Sequence, residues 1–357
     1  MPDKQKRNVT VRELAKAARV SIGTVSRALR GQPGLSEQTR ADVLRIAQEL
    51  GYDIEKLHTG KPRRILFLYN RAIGALTTNQ FYSIVLHGAE SACREAGILL
   101  SLMSVAPGDD VAAKVRRFES DALLAAGYFE SETLVSFQQC ELPLVLVDHF
   151  HAGIHCVNGD NLNGAWMATR HLLDSGAKTL AAIYGPLSHH SVSLRAKGFR
   201  RALFEAQRLL DPDYEVTLDP AIDYDEAGRD AMRRLLKLNP RPDAVFAYND
   251  ATALHAIEVC QEAGLEVPKD VRVIGYDDIV AASHSKPALS TVRLDKELMG
   301  AVAVEALVRG DVGPADTLLP VELVIRDSSH QSATPRRTTS RRTTAPATTA
   351  SSSRRSR

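Results

Sequence analysis

The sequence contains no apolar run of the roughly 18 residues that a membrane-spanning helix needs, and its first thirty residues hold no apolar stretch of secretory length. A cytoplasmic protein is therefore expected. Its four cysteines, Cys93, Cys140, Cys156 and Cys260, lie far apart without a CxxC pair, which argues against a disulfide framework or a zinc ribbon and for reduced core residues. There is no G-x-G-x-x-G after a strand, no Walker-type lysine loop and no G-x-S-x-G elbow, so no enzyme, no cofactor and no metal are expected. The stretch "DHFHAGIHC" carries His149, His151, His155 and Cys156, but at a spacing that fits no common zinc motif; loop histidines at a cleft rim are expected instead.

Charge is unevenly placed. Residues 1–64 carry 14 Lys/Arg against 7 Asp/Glu, and residues 331–357 carry 7 Arg with no acid, so a chain of formal net charge +2 has an acidic middle of −12 between two basic ends. A basic end on an acidic body suits a nucleic-acid-binding module joined to something that must not itself hold phosphate. A merely solvated basic face would have the same charge.

The 357 residues, 44% hydrophobic and 25% charged, leave room for two or three domains. Residues 1–52 predict three short helices: Thr10 caps the first, with Val11, Leu14, Ala15 and Ala18 as its apolar stripe; Ser21 caps the second; Ser36 caps the third, which runs through Val43, Leu44, Ala47 and Leu50 to a stop at Gly51. In "VSIGTVSRALRG", Ile22, Val25 and Leu29 are spaced for a core face, which leaves the polar set Ser21, Thr24, Ser26 and Arg27 unexplained. Residues 53–63 predict a linker.

From Arg64 to residue 330 the texture changes. Apolar runs of strand length ("RILFLY", "GILLSLMSV", "DALLAAGYF", "PLVLVD", "TLAAIYG", "DAVFAYND", "VRVIGYDD") alternate with amphipathic stretches of helix length. This predicts an α/β body of parallel sheets covered on both faces, with nine or ten strands in two doubly wound lobes. Residues 331–357, rich in Arg, Thr and Ser, have no apolar periodicity and predict a disordered tail, either solubilising or adding weak contact to DNA.

A Ser-capped second helix after a tight turn, with a third helix closing the bundle, is a helix-turn-helix arrangement whose second helix enters the major groove. On that reading Arg27 has the fork geometry for guanine, Ile22 can pack on a thymine methyl, Gly23 lets the backbone approach DNA, and Thr24 and Ser26 suit phosphate contacts. Packing within the bundle is the alternative for the same residues.

The head "VTVRELAKAARVSIGTVSRAL…LSEQTR…LGY" resembles the LacI/GalR family of bacterial transcription regulators nearly residue for residue. The resemblance continues to about residue 327 through "NQFYSIVLHGAE", "VNGDNLNGAWMATRHLLDSGA", "SLRAKGFRRAL", "AVFAYNDATALHAIEVCQEAGLEVPKDVRVIGYDDI" and "PALSTVRLDKELMG". It implies a bilobed, periplasmic-binding-protein-like core after the DNA-binding head, a homodimer or homotetramer, a roughly palindromic DNA operator, and a small effector between the lobes. The implied function is a transcription regulator, read here as a repressor of carbohydrate-utilisation genes released by a mono- or disaccharide. A corepressor-dependent regulator binding a nucleobase, and a sugar receptor whose head no longer reads DNA, are the alternatives. Two departures stand out. Arg19 occupies a turn where most members have glycine, and "DIEKLHTG" shortens the link to the head, placing Leu57 four residues earlier than the family's minor-groove leucine. Leu57 either still wedges between base pairs or lies in a linker with no DNA role.

Doubly wound sheets bind ligands beyond the carboxyl ends of their strands. Asp148, Asn249, Asp250, Asp277 and Asp278 fall just there. The resemblance selects Asp148, Arg195, Asn249 and Asp277 as effector contacts; Asp250 and Asp278 serve equally well as helix caps. Phe81 and Tyr82, at the head of the body's first helix, either stack on a sugar or pack in the core.

Overall fold

The computed structural model describes residues 9, 11–29, 35–52, 61–71, 76, 79–106, 108–209, 211–219 and 222–330. The head is made of α1 (Val11–Ala18), α2 (Ile22–Leu29) and α3 (Glu37–Glu49). Leu14, Val25, Ala28, Leu29, Val43 and Ala47 interlock as its core. Ser21 and Ser36 cap α2 and α3: the Oγ of each accepts the backbone N–H three residues on, at 3.0 and 3.1 Å. At the end of α3, Gly51 takes φ 69°, and the N–H groups of Gly51 and Tyr52 return to the carbonyls of Gln48 and Ala47, which stops the helix. Ile22 is not part of the core stripe; it stands 49% exposed, and Ala28 fills the inner position instead. Leu50, expected on the buried side of α3, is likewise exposed as its C-cap.

The body begins with β1 (Arg64–Asn70) and continues through α4 (Gln80–Ala96), β2 (Leu99–Val105), α5 (Val111–Arg117), β3 (Ala122–Ala126), α6 (Ser131–Gln138), β4 (Leu144–Val147) and β5 (His155–Gly159). These strands pair in parallel, and β11 (Ala315–Leu319) completes a six-stranded sheet in the order β11-β5-β4-β3-β1-β2. Runs such as "ILFLY" in β1 and "ALLAA" in β3 are buried on both faces, as continuous apolar strands must be when helices cover both sides.

After α7 (Asn161–Asp174) comes the second lobe. Its elements are β6 (Leu180–Tyr184), α8 (His190–Glu205), β7 (Glu215–Thr217), α9 (Tyr224–Leu235), β8 (Ala244–Ala247), α10 (Asp250–Glu262), β9 (Arg272–Ile274) and α11 (Val280–His284). The four strands pair in parallel in the order β7-β6-β8-β9. The chain then runs through β10 (Thr291–Leu294), returns to the first lobe as α12 (Lys296–Arg309) and β11, and leaves again as β12 (Val321–Val324), antiparallel to β10.

The chain thus passes between the lobes three times, and the crossings are stitched to one another. Asp160 donates its N–H to Leu319 O at 2.9 Å, and Leu294 pairs with Val321. A Cβ at Gly159 would fall 2.9 Å from the end of the Leu294 side chain, so the two crossings lie in close contact. On the far side of the first sheet, α4 and α12 meet backbone to backbone: a Cβ at Gly88 would fall 2.0 Å from Glu297 O, and one at Gly300 2.1 Å from Val85 O. Gly300→Ala is therefore expected to cost about 1–3 kcal/mol by overpacking, seen as a lower urea midpoint with unchanged slope. An unchanged midpoint would contradict this crossing.

Candidate functional site

Arg19 holds φ 55°, so the turn between α1 and α2 is the left-handed one that glycine would occupy without strain; a side chain there costs about 1–2 kcal/mol. The same turn presents Ser21, Ile22 and Gly23 on the exposed end of α2. Ser21 Oγ also bonds Thr24 Oγ1 at 2.9 Å, fixing the two hydroxyls as a pair. A Cβ on Gly23 would meet nothing closer than Ser21 Oγ at 3.7 Å, so packing within the head does not require glycine there. Arg27 lies along the same face, its Nε 3.4 Å from Gly23 O. Ser21, Ile22, Gly23 and Thr24 thus stand at the start of the helix and Arg27 in its last turn, all outside the core, while Val25, Ala28 and Leu29 are buried in it. Thr10, Leu57 and the side chain of Ser26 lie outside the described residues.

Between the lobes lies a cleft of about 490 Å³, lined by Phe81, Tyr82, Asp148, Arg195, Asn249 and Asp277 together. Its floor is built on Arg195. This guanidinium is only 4% exposed, donates to Asn161 Oδ1 at 2.8 Å, Tyr248 O at 2.6 Å and Asp277 Oδ1 at 3.2 Å, and lies 3.7 Å over the Tyr276 ring. A buried arginine is tolerable only with such a full set of partners. Asp277 has φ 105°, a sparsely populated conformation for a side-chain-bearing residue, and its N–H is tied to Val292 O at 2.8 Å. Burial pushes its carboxyl up to about 6, against the pull of Arg195 and Lys296.

Asn249 caps α10, its Oδ1 accepting the Thr252 N–H at 2.9 Å, which leaves the amide NH₂ as the group to offer a ligand. This corrects the expectation for Asp250. It is the first residue of the helix rather than its cap, is fully buried, and accepts from Thr291 Oγ1 at 2.6 Å and the Ile279 N–H at 2.8 Å. Asp278 is neither cap nor cleft residue: it pairs with Arg293 and Arg326, each at 2.7 Å.

On the other wall Asp148, at φ 55°, accepts from Tyr82 Oη at 2.7 Å and from Ser191 Oγ, with His189 Nε2 at 3.5 Å. Tyr82 belongs to the first lobe, Ser191 and His189 to the second, so this carboxylate already joins the lobes across the cleft. Phe81 and Tyr82 meet edge to face at 4.9 Å; both pack in the core of the first lobe, and both also line the cleft.

The histidines do not form one rim. His155 opens β5, where its ring nitrogens contact Asp311 O and Thr317 Oγ1, and Cys156 is buried beside it in the strand. His149 is buried against Tyr128, its ring nitrogens without partners, and burial with the neighbouring His189 holds it down at about 4. Among the described residues no group of His, Cys, Asp and Glu is arranged to hold a metal ion.

Sequence reasoning missed Asn161, Ser191 and Tyr248. Tyr248 had a readable trace, since Gly185 provides its space: a Cβ there would lie 2.8 Å from the ring. Asn161 and Ser191 begin or nearly begin helices, and nothing in their spacing separates them from ordinary helix-start residues.

Burial pushes the Asp250 carboxyl up to about 8, with the Asp277 charge adding to it. Its folded value lies above the unfolded 3.8, so its stabilising contribution is complete below about 3.8 and lost as pH rises through about 8. Asp250→Asn can accept from Ile279 and donate to Thr291, mimicking the protonated acid. Urea unfolding of both proteins should show the variant gaining on the native protein as pH rises toward 8; parallel pH profiles would show that Asp250 is not the titrating group.

The comparisons with known proteins agree with this anatomy. Residues 10–53 match the family described as bacterial regulatory proteins, lacI family, and residues 169–329 match the periplasmic binding protein-like domain. The ribose operon repressor of Escherichia coli (strain K12) is 32% identical over 311 residues, covering 84% of this chain and 92% of that one. The HTH-type transcriptional repressor PurR of Histophilus somni (strain 129Pt) is 29% identical over 339 residues, covering 89% and 98%. A solved transcriptional regulator CelR–cellobiose complex superposes with a TM-score of 0.69 at 28% identity, covering 90% of this chain and all of that one. The chain belongs to the LacI family of bacterial regulatory proteins.

Proposed function

We propose that the protein is a sequence-specific transcriptional repressor that binds a two-fold symmetric operator as a homodimer and is released when a neutral sugar occupies the cleft between its lobes. The observation that carries this reading is the convergence of Asp148, Arg195, Asn249 and Asp277 on one cleft, apart from a head that keeps Ser21, Ile22, Gly23, Thr24 and Arg27 outside its buried core. Carboxylates, an amide and a guanidinium supply the directed acceptors and donors that ring hydroxyls need. Phe81 and Tyr82 supply an apolar face. The relatives support a sugar: one is named for the ribose operon, and one solved neighbour holds cellobiose.

In the head, Arg27 is assigned base reading, Ile22 a thymine methyl, and Ser21 and Thr24 phosphate contact. Arg19, exposed in its strained turn, is assigned a further phosphate contact. Residues 53–63 are assigned as the hinge between head and body, with Leu57 as its minor-groove contact. The relatives named above are repressors, and no helix among the described residues is long and apolar enough to cross a membrane.

Selection of bound duplexes from a random pool at physiological salt tests the first half of the proposal. One enriched palindrome is expected, with log affinity falling steeply against log salt; retention of all duplexes alike would overturn it. Arg27→Ala should then lose about 1–3 kcal/mol of operator affinity and relax one base position, with sugar binding intact. Asp277→Asn, which keeps the shape of the Arg195 pair, should do the opposite in paired DNA-binding and calorimetric titrations. Equal damage to both activities by both variants would refute the division into reader and sensor.

A further inference from the structure

The cleft continues past the floor to a second set of groups. Its mouth is lined by Tyr128, Glu130 and Thr133 from the first lobe and by Pro186, Ser188 and Tyr224 from the second. The side chains of these residues take no part in the hydrogen bonds that hold Asp148 and Arg195. Tyr128 is held in orientation by ring contacts to His149 at 5.3 Å and His189 at 5.8 Å. Tyr224 opens α9 with 36% of its surface exposed, and Glu130 heads α6 without making a side-chain cap bond. Two aromatic faces, an exposed carboxylate and two hydroxyls are the chemistry that holds a sugar ring, apolar C–H faces on the rings and hydroxyls on the oxygens.

Size and charge narrow the occupant. At the roughly 30 Å³ that a water takes in the liquid, 490 Å³ corresponds to about sixteen waters, more than one hexose displaces. Among the described residues Arg195 is the one Lys or Arg lining the cleft, and Asp277 neutralises it; Asp148 and Glu130 add negative charge. Lys296 is turned away to the backbone oxygens of Asp277 and Leu294. A phosphate or carboxylate ligand would meet carboxylates with no cation to receive it. A planar base could cover the floor but would leave the mouth unfilled.

We infer that, given the sugar reading above on which this rests, the effector is an uncharged glycoside of two rings, one held on the floor by Arg195, Asn249 and Asp277 and the other against Tyr128, Glu130 and Tyr224 at the mouth. Glu130 and Tyr224 are then specificity-determining residues that distinguish a disaccharide from its component monosaccharides.

The test is calorimetric titration of the full-length protein with five neutral disaccharides (sucrose, trehalose, maltose, cellobiose and melibiose), their monosaccharides, glucose 6-phosphate, and adenine and guanine. One disaccharide should bind at least about tenfold more tightly than either of its monosaccharides, and glucose 6-phosphate should give no binding heat. Glu130→Gln and Tyr224→Ala, both at exposed positions, should each weaken that disaccharide by about tenfold, the loss of one hydrogen bond to a charged group or one ring face, and leave monosaccharide binding where it was. A monosaccharide binding as tightly as any disaccharide, or mouth variants that leave disaccharide affinity unchanged, would overturn the two-ring inference while the sugar reading stands. Binding of glucose 6-phosphate or a purine with no heat from any sugar, or no heat from any compound, would overturn both.

Discussion

The buried guanidinium of Arg195 is the interaction on which the sensing lobe depends. It projects from α8 and is held by Asn161 at the head of α7, by the carbonyl that ends β8 and by Asp277 beyond β9, while Tyr276 stacks beneath it. Four segments are therefore positioned by one cation. Tyr276 in turn needs Gly164, because a Cβ there would fall 2.4 Å from its hydroxyl oxygen. Taking a guanidinium out of water is costly, and the cost is offset only when every partner is present. Without it, the buried Asp277 carboxyl would lose the nearer of the two cations, Arg195 and Lys296, that act against its burial. The strained φ of Asp277 fits the same logic: a conformation that costs about 1–3 kcal/mol is retained where its surroundings over-determine it.

Asp148 couples this lobe to the other. Its carboxylate takes a proton donor from each side, Tyr82 from the first lobe and Ser191 from the second. On the proposed function, a ligand between the lobes acts at this carboxylate, which both lobes hold. The three crossings near Gly159, Leu294 and Leu319 are bonded to one another, so the lobes are joined along one seam. Ligand free energy can shift a two-state equilibrium only by the difference in affinity between its states, so the proposed coupling between sugar and operator is measurable and must be reciprocal.

Much of this was legible in the sequence because strands buried on both faces are continuous apolar runs. "RILFLY" and "DALLAAGYF" leave little choice, and both correspond to central strands. Strands β5, β7, β10, β11 and β12 escaped the same reading. Each is three to five residues long and carries polar side chains, and "HCVNG" looks like a loop until its neighbours bury it. Strand ends marked the cleft well, since Asp148, Asn249 and Asp277 follow apolar runs directly. They could not say which of two adjacent polar residues faces the ligand. Asn249 and Asp250 differ by one position, yet one caps a helix at the cleft and the other is wired to Thr291 and Ile279; Asp278 goes to two arginines far along the chain. Such assignments depend on contacts between segments distant in sequence.

The proposed function joins DNA reading and sugar sensing in one molecule through a shared conformational equilibrium. It is tested most directly by measuring operator affinity with and without saturating sugar, and sugar affinity with and without saturating operator, on the same preparation. Sugar is expected to weaken operator binding, and operator to weaken sugar binding by the same factor. Tight sugar binding that leaves operator affinity unchanged would contradict it.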